Sequence, residues 1–336
     1  MTRVPFAEMN STIRAAFIKA GMPEEKADIC ARIHTESTRD GVNSHGLNRV
    51  ERFVEYLQTG LVDPNAEPTL HLSLGALEIY NGNMGPGILN ALYAMNRACE
   101  LSDAHGVGFV SLQNTTHWMR GGTYGWKAAE KGYVAISWTN TEACMPAWGA
   151  KSEGIGNNPF VMAVPRREGP IVLDMAMSQY SYGKVWATEK KKQKLPFPGG
   201  FDENGELTDD PGTIAATRRI LPMGLWKGAG FAVMLDLVST FVSGGMTTAG
   251  ITKANRGSGG GSNQVFIAIN PLRINTQEFM DDAFEETIAQ IKSSVPAKEG
   301  AEIFYPGEQS MKTRKENDSL GIPVDDEIWG KVKTLI

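Results

Sequence analysis

Two histidines with arginine nearby are the side chains in this 336-residue sequence best suited to move a proton. One is His45, in ESTRDGVNSHGLNRVERF; the other is His117, in QNTTHWMRGGTYGW. If Ser44 caps a helix, His45 and Arg49 stand four residues apart on one face of it, and Arg52 follows one turn later. A guanidinium grips a carboxylate through two parallel hydrogen bonds, and an adjacent imidazole can pass a proton to or from a neighbouring carbonyl oxygen. Such a transfer is worth about 10²- to 10⁴-fold in rate. The helix start would lower the histidine pKa, and a bound carboxylate would raise it. The same residues also allow a plainer arrangement, in which Ser44 and His45 only cap the helix and Arg49 and Arg52 pair with Glu51 or Glu55 in solvent.

His117 falls after a strand-like run and just before a helix opening at Gly121 and Gly122, a turn where α/β proteins commonly bind ligands. Packing of its ring on Trp118 and Trp126 is the competing reading. Other anchors are single residues: Asp174 at the end of PIVLDM, Trp226 and Lys227 in LPMGLWKGAG, and Gly307 to Gln309 in YPGEQ. Lys227 could meet a phosphate at a helix start or be a surface lysine, and Asp174 could equally be an N-cap.

Several familiar sites are missing from the sequence. GIGNNP and GAGFAV both break the GxGxxG pattern at its third glycine, and neither GxxxxGK[ST] nor HExxH occurs. An ordinary Rossmann or P-loop site is therefore not expected. No histidines are paired at metal-ligand spacing, so no catalytic metal is expected. Cys30, Cys99 and Cys144 are too far apart for a CxxC motif and read as buried thiols.

The elements that must carry these residues follow from periodicity. Phe6, Met9, Ile13 and Phe17 recur at helical spacing, Pro23-Glu24-Glu25 opens a second helix, and Leu47, Val50, Phe53, Val54 and Leu57 form the buried stripe of a third that ends before Gly60. From about residue 70, HLSL, ALEIY, GVGFVSL, YVAISWT, FVMAVP, PIVLDM and QVFIAIN read as strands. Between them, Ile88, Leu92, Met95 and Cys99 share one helical face, and Phe231, Leu235, Val238 and Val242 share another. FPGGFDENGELTDDPG (197–212) and ANRGSGGGSN (254–263) read as solvated connections. A polar C-terminal helix is expected to pack back on the N-terminal ones. The fold class is thus α/β (α+β), with residues 1–75 plus 285–336 as a helical domain and 76–284 as a β-rich domain.

Bulk properties narrow the partners. A net charge of −5 carries no basic excess for nucleic acid or anionic lipid. The N-terminus MTRVPFAEMN lacks a signal core and no run approaches eighteen apolar residues, so a cytoplasmic protein is expected.

The ordered set SHGLNR, NTTHWMRGGTYGW, PAWGAKSEGIGNNPF, IVLDMAMS, RRILPMGLWKGAGFAVMLD and YPGE resembles the malate/L-lactate dehydrogenase family, whose NAD(P)-binding fold is not Rossmann-like. The resemblance spans nearly the whole chain. It implies a homodimer, a nicotinamide cofactor (NAD, with NADP open), and interconversion of a small 2-oxo acid and its 2-hydroxy acid. By position, His45 matches the family's proton donor, and Arg49 and His117 match substrate-site residues. The cofactor segments fall on Pro170, Ile171, Val172, Leu173, Asp174, Met175 and Ala176, on Trp226 and Lys227, and on Gly307, Glu308 and Gln309. Two stretches depart from the family member this chain most resembles: Glu308-Gln309 stands where that member carries a His-Glu pair, and RGSGGGS is unlike its counterpart.

Overall fold

The computed structural model describes residues 2–336. The seven strand-like runs become the seven strands of one mixed sheet: β1 (Thr69–Leu74), β2 (Leu77–Asn81), β3 (Val107–Thr115), β4 (Val134–Thr139), β5 (Phe160–Val164), β6 (Ile171–Met175) and β7 (Ser262–Ile269). Their spatial order is β1-β2-β3-β7-β4-β5-β6. Only β2 and β3 run parallel, and the helix Gly87–His105 makes the crossover that a parallel pair requires. All other neighbours are antiparallel. A doubly wound nucleotide fold needs a mostly parallel sheet, so this topology is of another kind. β7 is inserted between β3 and β4 from a point far along the chain, and every residue from Ser262 to Phe266 is buried.

The first two helices form as the spacing predicts. Phe6–Lys19 buries Met9, Ile13 and Phe17, and Glu24–Arg39 begins directly after Pro23, whose fixed φ suits a helix start. The C-terminal segment returns to them. Ile322–Val324 pairs antiparallel with Thr2–Val4, and Trp329 and Val332 join the core built by Met9, Ile13 and Phe17. The edge strand β1 joins the sheet although it precedes residue 76, and the helix Gln277–Lys292 runs through residue 285.

Four local expectations are corrected. The third helix starts at Val50, not at Ser44, because two 3-10 turns, Asn43–His45 and Leu47–Arg49, precede it. The segment 197–212 is not an open loop. It holds a small hairpin, Gly200–Phe201 with Leu207–Thr208, whose turn is tied by three backbone N–H groups donating to Asp202. Cys144 is only half-buried, whereas Cys30 and Cys99 are buried.

The fourth correction concerns the helix Trp226–Ser243, which buries Gly228, Ala229, Ala232, Leu235, Ser239 and Ser243. Phe231 and Val238, expected inside, face outward with Met234 and Phe241. Small residues form the packed face of the helix, and at its start a Cβ on Gly228 would stand 2.1 Å from the carbonyl oxygen of Met223 in the preceding segment. The bulky side chains are left on the open face, and hydropathy alone could not tell the two faces apart because both are apolar. No single helix among the described residues is long and apolar enough to cross a membrane.

Candidate active site

His45 owes its position to the helix Glu24–Arg39 behind it. The His34 ring lies in the core against Phe17 and Phe53, and its Nδ1 is 3.0 Å from the Gly46 carbonyl oxygen. Thr38 Oγ1 accepts from the Leu47 N–H at 2.8 Å. Any Cβ on Gly46 would stand 2.2 Å from that same hydroxyl, so only glycine lets the chain pass here. This contact, with Gly46 at φ −118 and ψ −118, breaks the helix that the spacing suggested and separates the turn of His45 from the turn of Arg49. Ser44 consequently caps nothing. Its Oγ lies 3.0 Å from His45 Nδ1, leaving Nε2 free to face a ligand.

The two candidate histidines come together. Their rings stack with centroids 5.7 Å apart and planes 21° apart. The ring of Trp118, offered as His117's packing partner, instead lies in the core on Tyr124 and Phe266. Burial, with Arg49 and then Arg120 adding positive charge, pushes His45 down to about 3. Burial followed by Arg49 and His45 holds His117 well below the usual imidazole range. Both rings are therefore neutral at neutral pH. They differ in their partners. The Met119 N–H donates to His117 Nδ1 at 2.9 Å, which places the single proton of neutral His117 on Nε2. Protonating His117 at Nδ1 would set two donors face to face. His45 Nδ1 faces a hydroxyl, which accepts or donates as required, so its imidazolium keeps a partner.

Arg49 and Arg52 form no ion pair among the described residues, so neither pairs with Glu51 or Glu55. Arg49 Nε donates to the Ser44 carbonyl at 3.3 Å, which holds its guanidinium beside the His45 turn. Both arginines line a cleft with Phe53, Tyr56, His117 and Ser258. The unpaired Arg49 guanidinium beside the neutral His117 ring offers an anion-binding position in this cleft.

The stretch ANRGSGGGSN closes this cleft and is not a solvated linker. The Ser258 N–H donates to the Tyr56 hydroxyl at 2.9 Å, and the Gly259 N–H donates to Glu142 Oε2 at 2.9 Å. The Gly261 N–H donates to the Thr115 carbonyl at 2.8 Å. Gly259 has φ +74, and a Cβ there would come within 3.0 Å of His117 Cβ. Its glycines thus allow backbone to rest on a catalytic candidate's ring, a role composition could not distinguish from flexibility.

A web of charges ties the cleft to the cofactor candidates. Asp40 is buried and accepts from Arg120 at 2.6 Å, from Arg314 through two bonds, and from Arg39 at 3.0 Å. Arg120 Nε, itself buried and without a hydrogen-bond partner, lies 3.9 Å from Asp174 Oδ2. The same Asp174 oxygen accepts from the Gly122 N–H at 2.9 Å, heading the helix Gly122–Glu130. Burial pushes the Asp174 carboxyl above its usual range, against the pull of Arg120.

Of the cofactor segments, 170–176 forms the edge strand β6, lies against Gly307, and continues into a residue bonded to the segment that precedes Trp226. Near its start, Val172 N–H donates to the Pro306 carbonyl at 3.2 Å, beside Gly307; past its end, Met223 N–H donates to the Met177 carbonyl at 2.8 Å, just before Trp226. Trp226 and Lys227 are exposed in the first turn of an 18-residue helix. The Glu308 carboxylate is occupied by Lys292 at 2.6 Å, and Gln309 is exposed. Sequence reasoning missed Thr38, Asp40, Arg120, Tyr56 and Ser258. Only the glycines beside them, Gly46 and Gly257 to Gly261, offered a signal, and that signal is steric rather than chemical.

Comparison with known proteins agrees with this architecture. The family model described as malate/L-lactate dehydrogenase matches residues 4–333. A 2,3-diketo-L-gulonate reductase of Klebsiella pneumoniae (strain 342) is 41% identical over 334 residues, covering 99% of this chain and 100% of that protein. The solved sulfolactate dehydrogenase of Methanocaldococcus jannaschii superposes with a TM-score of 0.89 at 29% identity, covering 99% of this chain and 96% of its own. The malate dehydrogenase of Pyrococcus horikoshii OT3 does so with 0.89 at 26% identity, covering 99% and 94%.

Proposed function

The chain belongs to the malate/L-lactate dehydrogenase family, and from that premise we propose that it reduces a small 2-oxo acid to the 2-hydroxy acid with NAD(P)H. 2,3-Diketo-L-gulonate is the substrate proposed, because the relative so named aligns end to end with this chain. The observation that carries the reading is that His117 and the unpaired Arg49 line one cleft, with the His45 ring stacked on that of His117.

Arg49 holds the substrate carboxylate through its free guanidinium nitrogens. His117, with its proton on Nε2, donates a hydrogen bond to the 2-oxo oxygen and polarises it. His45 delivers the proton to that oxygen as C2 is reduced, and Ser44 Oγ supports the ring throughout. When bound, the nicotinamide would supply the hydride that reduces C2. A bound carboxylate offsets Arg49 and raises His45, so the proton is recruited together with the substrate.

Residues 170–176, Trp226 with Lys227, and 307–309 would hold the dinucleotide. They suit it chemically: Trp226 offers an exposed flat ring, Lys227 an unpaired cation at a helix start, and Asp174 a carboxylate for a hydroxyl group. NAD is proposed over NADP, since no arginine pair for a 2′-phosphate stands out in the sequence. A homodimer is proposed from the open face of the helix Trp226–Ser243, where Phe231, Met234 and Phe241 form an apolar surface that a second copy would cover.

Mixing the purified protein with NADH or NADPH and a panel of 2-oxo acids, and following loss of the reduced-cofactor absorbance, tests the reading. Oxidation with 2,3-diketo-L-gulonate is expected, and no oxidation with any acid would overturn it. His45→Ala retaining turnover while His117→Ala lost it would reverse the assignment of the proton donor.

A further inference from the structure

The cleft has a second end that the proposed chemistry does not use. There Arg52 and Tyr56, one turn apart on the helix Val50–Gln58, and Ser258, whose N–H bonds Tyr56, line the same space as Arg49 and His117. The Tyr56 oxygen accepts from the Ser258 N–H, so its own proton is free to be donated, and Ser258 Oγ has no hydrogen-bond partner among the described residues. Gly257 makes this end possible: at φ +73 it lies against Tyr56, where a Cβ would stand 3.0 Å from the phenolic oxygen. Ser258 belongs to RGSGGGS, a stretch in which this chain departs from the family member it most resembles.

Charge decides what this end accepts. Arg49 and Arg52 contribute two positive charges, and the Glu142 carboxylate, which bonds the Gly259 N–H and acts on Arg49, contributes one negative charge. With both imidazoles neutral, the cleft carries a net charge of about +1, which one carboxylate satisfies. A second anionic group on the substrate would meet Glu142 without an added cation.

We propose that Arg52, Tyr56 and Ser258 form a distal subsite that binds the hydroxylated tail of a monocarboxylic 2-oxo acid and so set chain-length preference. The proposal rests on the reductase reading. Its test compares kcat/KM for 2,3-diketo-L-gulonate, pyruvate and oxaloacetate in the wild-type protein and in Ser258→Ala, Tyr56→Phe and Arg52→Gln. Each variant should lower the ratio of kcat/KM for the hydroxylated acid over that for pyruvate about three- to tenfold, through KM, the loss expected of one hydrogen bond. Ser258→Ala removes one oxygen and serves if Arg52→Gln fails to fold. Ratios unchanged in all folded variants would overturn the subsite while leaving the reductase reading standing. A selective loss on oxaloacetate would overturn the hydroxylated assignment in favour of a distal anion. A wild-type protein inactive with all three acids would overturn the reductase reading, and this proposal with it.

Discussion

The pH dependence of reduction should identify His45 as the proton donor. In the free protein His45 sits at about 3, so protonating it at pH 7 costs about 5.5 kcal/mol, four pH units at roughly 1.4 kcal/mol each. A carboxylate seated on Arg49, about 4 Å from the imidazolium, returns about 4 kcal/mol at an effective dielectric constant near 20. That offsets most of the cost, so the bound carboxylate raises His45 back towards the ordinary imidazole range. Two profiles follow, and they differ. Since kcat/KM reports the free enzyme, it should fall with unit slope from about pH 6 to about pH 8, a loss of about 100-fold, whereas kcat should level off below about pH 6. Initial rates across this range, with substrate varied at each pH, measure both. His45→Gln should be slower by about 10²- to 10⁴-fold with its slope abolished, since no proton is left to recruit. A kcat/KM plateau below about pH 7 would refute the depressed free-state value, and a retained slope in His45→Gln would refute the assignment itself.

Three other predictions concern the supports of the site. Gly259→Ala puts a Cβ 3.0 Å from His117 Cβ in a left-handed backbone; it should destabilise the protein by about 1–2 kcal/mol, seen as a lower urea midpoint. Asp40→Ala leaves buried Arg120 without its carboxylate and should cost about 3–5 kcal/mol, read as a clear fall in Tm by calorimetry; an unchanged Tm would mean that the four-residue cluster contributes nothing net. Phe241, 78% exposed on the open face of its helix, should be central to the proposed dimer. Phe241→Asp should shift the sedimentation coefficient to that of a monomer, and a wild-type protein that is already monomeric would refute the dimer.

Most of the strands and the N-terminal helices were legible because their apolar periodicity is local and one face is buried; the HLSL strand, exposed along its length, was legible from its composition alone. The runs HLSL through QVFIAIN all entered one sheet, and Met9, Ile13 and Phe17 all entered one core. The helix Trp226–Ser243 was misread on its buried face because its small residues, not its large ones, make the close contact, and both faces are apolar. The sequence by itself determined that His45, Arg49 and His117 were the candidates, through residue type and the order of motifs. Tertiary structure alone decided that the two imidazoles stack, that Gly46 cannot pass Thr38 inside a regular helix, and that a glycine-rich stretch 140 residues further on rests on His117. These are contacts between segments distant in the chain, and their geometry follows from how close two backbones can approach rather than from any pattern within either segment.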